Sequence, residues 1–199
     1  MQQFVIPFVA YVLVPIISSL LKLNPTPAQL LKVIIVAGLI FHYRKHYKLI
    51  FMLDGWSAIS GLVIFVIWVG LEGFYPFVLG VPQAPPTDKS YVLLRLISSI
   101  LIAPVIEEFF TRYFLNRIIQ SKNWEKVPLN KFTLTSFTIT VLFFGLSHNR
   151  WLPGIITGLI LNLVLMKTKR IETCVLAHAI ANLALAIYVI TTQNWILWG

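Results

Sequence analysis

Three ionisable side chains, Glu107, Glu108 and Arg112, stand within six residues in the run Leu101-Ile-Ala-Pro-Val-Ile-Glu-Glu-Phe-Phe-Thr-Arg-Tyr-Phe-Leu115, where almost every other residue is apolar. At the centre of a bilayer each such charge costs about 2.5–3.5 kcal/mol on insertion scales. A segment like this cannot face lipid with its charges outward. It has to turn them into a bundle that pairs them, and charges kept at that cost point to function.

The rest of the chain is built for hydrocarbon. Of 199 residues, 58% are hydrophobic and 12% charged, against roughly half and a quarter in a soluble domain. The apolar residues come in long blocks, and spanning segments must satisfy their own backbone hydrogen bonds. The expected fold is therefore all-α, a polytopic membrane helix bundle. Seven spans are expected, at about 4–21, 28–42, 57–79, 91–120, 132–149, 151–166 and 172–197. The third and fourth are long enough to hold an extra interfacial helix, which would make eight. The clearest linker is Val81-Pro-Gln-Ala-Pro-Pro-Thr-Asp88. Residues 1–90 form N-terminal membrane helices and 91–197 the functional core, all within one integral membrane domain. Met1-Gln2-Gln3 lacks the basic start of a signal peptide, so the first block is read as a retained span.

The net charge of +9 does not indicate nucleic acid, because the basic residues cluster in short links. Arg44, Lys45, Lys48, Arg117, Lys122, Lys126, Lys131, Lys167, Lys169 and Arg170 fall in one set of links; the alternate set holds Lys22, Lys89 and Arg150. The richer set belongs in the cytoplasm, with the N-terminus. Lys32 and Arg95, near segment ends, are expected to extend their stems to the interface. Cys174 is the sole cysteine, which leaves no intrachain disulfide or multi-cysteine metal site.

Three polar constellations stand out. Glu108 and Arg112 are four residues apart and can pair on one helix face. Glu107 points about 100° away, free to face a polar cavity, where low dielectric suits a carboxylate to general-base work. Phe144-Gly-Leu-Ser-His148 ends the fifth segment, and His178-Ala-Ile-Ala-Asn182 lies on the last, again with its polar ends on one face. Each has a plainer reading: a structural ion pair, an interfacial histidine, polar contacts between helices. Together they are most cheaply housed around one wet cavity, and they supply a base, imidazoles and an amide donor, the parts needed to activate water and hold an oxyanion. One offset stands against this. Glu107 lies near mid-span and His148 towards the end of its segment, a mismatch of roughly 9 Å at 1.5 Å per residue. A tilt, a kink near Pro104 or a helix start after residue 132 would remove it.

In order and spacing, the three motifs resemble the Glu-Glu-x-x-x-Arg, Phe-x-x-x-His and His-x-x-x-Asn pattern of the CPBP family of intramembrane proteases, which includes the CAAX prenyl endopeptidase Rce1 and the bacterial abortive-infection-like proteins. The resemblance covers about 90–190, including Ala103-Pro104 and the small-residue helix from Gly154 to Met166. It implies that Glu107, with His148, activates water for attack on a peptide carbonyl. His178 and Asn182 would bind the oxyanion, and Glu108 with Arg112 would hold Glu107 in place. The same resemblance admits a zinc on Glu107, His148 and His178, although metal-free glutamate catalysis is the favoured expectation. The implied partners are a membrane-anchored protein or peptide substrate and the lipid bilayer.

A finer similarity, to CAAX-protease-related proteins that accompany exosortase systems, rests on Ser147-His-Asn-Arg-Trp-Leu-Pro-Gly154 and Ile187-Tyr-Val-Ile-Thr-Thr-Gln-Asn-Trp195. It implies a bacterial inner membrane. The competing functions are a non-catalytic scaffold or immunity protein with this fold, a small proton-coupled transporter, and a cysteine protease using Cys174 with His178.

Overall fold

The computed structural model describes residues 1–49, 53–77, 80 and 83–198. Among them there is no strand. The end of the expected third span (78 and 79) and the start of the linker (Val81, Pro82) lie outside the described residues.

Among the described residues, seven helical rods form the bundle. They are α1 (Gln2–Leu20), α2 (Pro25–His42), α3 (Gly55–Gly70), an unbroken rod over 89–120, α7 (Leu134–Leu146), α8 (Trp151–Thr168) and α9 (Ile171–Thr192). The 89–120 rod is α4 (Lys89–Leu96), a π segment (Ile97–Ile102), α5 (Ala103–Glu108), a second π segment (Phe109–Leu115) and α6 (Asn116–Gln120). It stays one rod, with no extra interfacial helix. The third span is shorter than expected and gives way to turns after Gly70. The described residues thus hold no eighth long helix; short 3-10 turns lie at Arg44–His46, Trp124–Lys126 and Trp195–Trp198.

The first π segment has a local cause. Pro104 offers no N–H to the carbonyl of Ile100, and its ring crowds that carbonyl; a wider coil relieves both. Capping boxes start two helices, Asp54 with Ser57 on α3 and Thr133 with Ser136 on α7. The α7 box sets its first helical residue at Leu134, later than the expected 132.

Helices α1, α2, α8 and α9 are long and apolar enough to cross a bilayer, while α3 and α7 are shorter apolar helices. Leu13, Ile16, Ile17 and Leu20 on α1 are exposed, a surface suited to lipid. Inside, α9 packs against α3, α8 and α5, and α7 lies along α8. Glycines permit the closest approaches. A Cβ on Gly145 would stand 2.7 Å from the backbone nitrogen of Ile155, and one on Gly61 would stand 2.7 Å from the carbonyl oxygen of Ala177. At one end of the bundle Arg150 forks onto Glu72 at 2.8 and 2.9 Å and donates to the Ile196 carbonyl at 2.8 Å, tying the ends of α3 and α9 to the start of α8.

Candidate active site

Glu107 and Glu108 close α5, and consecutive helical positions send them to different places. Glu108 goes into the protein. Its Oε2 stands 2.8 Å from Nη1 of Arg112, with both side chains fully buried, so the expected pair forms. Arg112 also donates to the Gly158 carbonyl at 3.3 Å and lays its guanidinium over the Phe144 ring at 4.5 Å. The other oxygen of Glu108 meets Nδ1 of His178 at 3.0 Å. The Glu108–Arg112 pair therefore braces His178, whereas the family resemblance implies that it holds Glu107.

Glu107 faces the other way, into a cavity of about 200 Å³ that His148, His178 and Asn182 also line. Its Oε2 is buried without a hydrogen-bond partner among the described residues and stands 3.9 Å from Nε2 of His148. The expected 9 Å offset is not present: α7 runs Leu134–Leu146, and His148, in the turn beyond it, comes within 3.9 Å of Glu107. That turn orients the imidazole. Nδ1 of His148 lies 2.7 Å from the Phe144 carbonyl; a carbonyl can only accept, so Nδ1 carries the hydrogen and Nε2 is turned towards Glu107. The Phe144 ring packs against both imidazoles, with centroids 5.0 Å from His148 and 5.7 Å from His178.

Asn182 joins the site through the π segment. Its Nδ2 donates to the Ser99 carbonyl at 2.7 Å, which fixes the amide at the cavity wall. All four residues expected to be catalytic thus share one cavity, and the two supporting residues lie directly behind it. Cys174 is not a lining residue; its buried thiol donates to the Leu161 carbonyl at 3.4 Å.

Among the described residues no group of three His, Cys, Asp or Glu side chains is placed to hold a metal ion. Nδ1 of each histidine is engaged, by Glu108 or by the Phe144 carbonyl, which leaves Nε2 as the ring nitrogen each can offer to the cavity.

Lys32 and Arg95 correct an expectation. They do not reach outward to an interface; both line the cavity, and Lys32 is only 7% exposed. Tyr11, Trp68 and Trp198 line it too, and motif spacing pointed to none of them. For Lys32 a signal existed. It is the one Lys, Arg, Asp or Glu between Pro25 and His42, and an ionisable residue inside a span is functional by default.

Fold and site together define an integral membrane bundle enclosing a carboxylate–imidazole cavity. Residues 89–184 match the family model described as Type II CAAX prenyl endopeptidase Rce1-like, and over this segment the chain is similar to that protease family. The matched segment contains Glu107, Glu108, Arg112, Phe144, His148, His178 and Asn182, whereas Tyr11, Lys32, Trp68 and Trp198 lie outside it. No curated protein and no solved structure matches the chain.

Proposed function

We propose that this protein is an intramembrane endopeptidase that hydrolyses a peptide bond of a membrane-associated protein with a water activated by Glu107 and His148. The observation that carries this is the 3.9 Å separation of Glu107 Oε2 and His148 Nε2 at the wall of the shared cavity. The two atoms are too far apart to bond each other. A water about 2.8 Å from both, a normal hydrogen-bond length, subtends an angle of about 90° between them. Two acceptors so placed take both hydrogens of one water and leave its lone pairs for the carbonyl carbon.

In this scheme Glu107 takes a proton as the water oxygen attacks the peptide carbonyl, giving a tetrahedral oxyanion. Asn182 donates to that oxyanion with the N–H not spent on Ser99, and His178, anchored at Nδ1 by Glu108, presents Nε2 beside it. Glu107 then returns its proton to the leaving amine as the C–N bond breaks. The protein residues complete this cycle, and no step passes through a metal.

The distribution of basic links supports a cytoplasmic N-terminus. The stretch Ser147–Gly154 supports a bacterial inner-membrane protein of the exosortase-associated kind. The test uses purified protein in liposomes with a membrane-anchored substrate. Glu107→Gln should abolish cleavage and leave the fold intact; undiminished cleavage would remove the proposed base.

A further inference from the structure

The rod over 89–120 lines a second cavity as well. Its residues up to Glu107 face the catalytic one, and from Phe109 onward it walls another, of about 390 Å³, where α1 and α9 begin. Phe4, Phe109 and Trp124 give this cavity an aromatic floor, all three buried. The Tyr47 hydroxyl donates to the Gln3 carbonyl at 2.6 Å, which ties the turn carrying Lys45 and Lys48 to the start of α1.

The rim is basic. Lys45, His46 and Lys48 line the cavity and are exposed. Arg117 lines it too but serves the fold, since it is buried and donates to the carbonyls of Val127 at 2.8 Å and Glu125 at 2.6 Å. Among the described lining residues one carboxylate, that of Glu125, stands against these cations. Ile50, Phe51 and Met52, outside the described residues, add no acidic side chain.

Lysines on an exposed link are ordinarily no more than solvated charge. Here they stand over buried aromatic rings, at a concave place that a ligand can fill. The cavity also adjoins the lipid-facing side of α1. Ile6, one turn beyond the lining residue Gln3, begins a stripe continued by Val9 and Leu13, each at least 40% exposed; the spacing i, i+3, i+7 puts them on one helix face. A soluble anion would meet the lysines and leave the stripe bare. A phospholipid meets both, with its phosphate at the basic rim and its chain on the apolar face.

We propose that this cavity binds the phosphate of an anionic phospholipid, Lys45 and Lys48 holding the headgroup and an acyl chain lying along Ile6, Val9 and Leu13. None of these residues lines the catalytic cavity, so the site stands apart from the hydrolytic reading.

The test is native mass spectrometry of the full-length protein in detergent, titrated with phosphatidylglycerol or phosphatidylcholine. Both carry a phosphate and can be given identical chains, but only the first has a net negative charge. One phosphatidylglycerol per protein should bind about tenfold to thirtyfold more tightly than phosphatidylcholine, the worth of two basic side chains at a lipid surface. Lys45→Gln/Lys48→Gln should bring the two lipids level and melt with its parent, since both side chains are exposed. Lys131→Gln/Lys167→Gln removes the same charge from exposed lysines that do not line the cavity, and should leave the preference unchanged. Inorganic phosphate and glycerophosphoglycerol, added at the lipid's own concentration, should not displace it.

Equal binding of the two lipids by the parent overturns the site, and so does a preference that survives Lys45→Gln/Lys48→Gln. An equal loss in both double variants overturns it as well, because the attraction would then belong to the basic links in general. Displacement by either soluble competitor as effective as by the lipid itself would replace the lipid with a free phosphate.

Discussion

Nδ1 of His178 lies 3.0 Å from Oε1 of Glu108, and the other oxygen of that carboxylate is held by Arg112 at 2.8 Å. One buried acid thus anchors an imidazole from α9 to a guanidinium on its own helix. The chain Arg112–Glu108–His178 orients the histidine ring and leaves Nε2 as its remaining polar atom. The same arrangement accounts for a fully buried arginine, since its charge is matched by Glu108 and its plane is covered by Phe144.

Breaking this chain at its acid leaves Arg112 as an uncompensated buried charge. Glu108→Ala should lower stability by about 3–5 kcal/mol, measured as denaturant unfolding in detergent. Adding Arg112→Met should recover a large part of the loss, because the stranded charge goes with it. Both variants should be inactive, since His178 has lost its anchor. Simple addition of the two single effects would mean that the residues do not act as a pair.

Cys174 tests the rival nucleophile. Its thiol is buried, bonded to the Leu161 carbonyl and absent from the cavity wall. Cys174→Ala should therefore retain cleavage within about twofold, at a stability cost of about 1 kcal/mol for the lost contacts. A loss of activity without a loss of folded protein would return the thiol to the site.

Much of this arrangement is legible in the residues. The all-helical membrane fold follows from the block lengths. The Glu108–Arg112 pair follows from helical spacing, and a common cavity follows from the cost of scattering so many polar groups through hydrocarbon. What spacing within one helix cannot show is which groups meet between helices. The family resemblance gives Glu108 and Arg112 the task of holding Glu107, yet the contact Glu108 makes beyond its own helix is with a residue 70 positions away. The height of His148 depends on where α7 starts and stops, and that is set by a capping box and a turn, features weaker than the apolar block that obscured them. Lys32 departs from its expected place at the interface for a simpler reason. A long stem reaches outward when lipid surrounds it, but α1 and α4 pack over α2 and close that path.

Asp54 links stability to pH through the start of two helices. It caps α3 through the Ser57 N–H at 2.7 Å, accepts from Thr173 at the start of α9 at 3.0 Å, and lies 3.9 Å from Arg170. Burial pushes its carboxyl up, but the bonds from Ser57 and Thr173 and the charge of Arg170 outweigh this and hold it below the usual value of 3.8. A carboxyl lowered by folding stabilises the fold fully above its unfolded value, and that share is lost as pH falls through the folded value. Stability should therefore decline in acid below about pH 4. Asp54→Asn keeps a capping oxygen but removes the titration, so its decline should be shallower. Identical acid profiles for the two proteins would show that the carboxylate charge contributes nothing.

Gly145 joins packing to catalysis. It sits where α7 crosses α8, facing Ile155, and the atom nearest to a new Cβ that cannot rotate away is the Ile155 backbone nitrogen, at 2.7 Å. Trimming Ile155 would not relieve that clash, so the two helices must separate. Overpacking of this kind costs about 1–3 kcal/mol. The functional effect should be larger than the stability loss alone explains. His148 lies three residues along, its backbone N–H bonded to the Gly145 carbonyl at 3.1 Å, so a shift of α7 carries the imidazole away from Glu107. With a misplacement of about 1 Å able to cost a hundredfold in rate, Gly145→Ala should fold with reduced stability and cleave at least tenfold more slowly at temperatures where it remains folded. Parental activity per folded molecule would show that the α7–α8 contact does not set the position of His148.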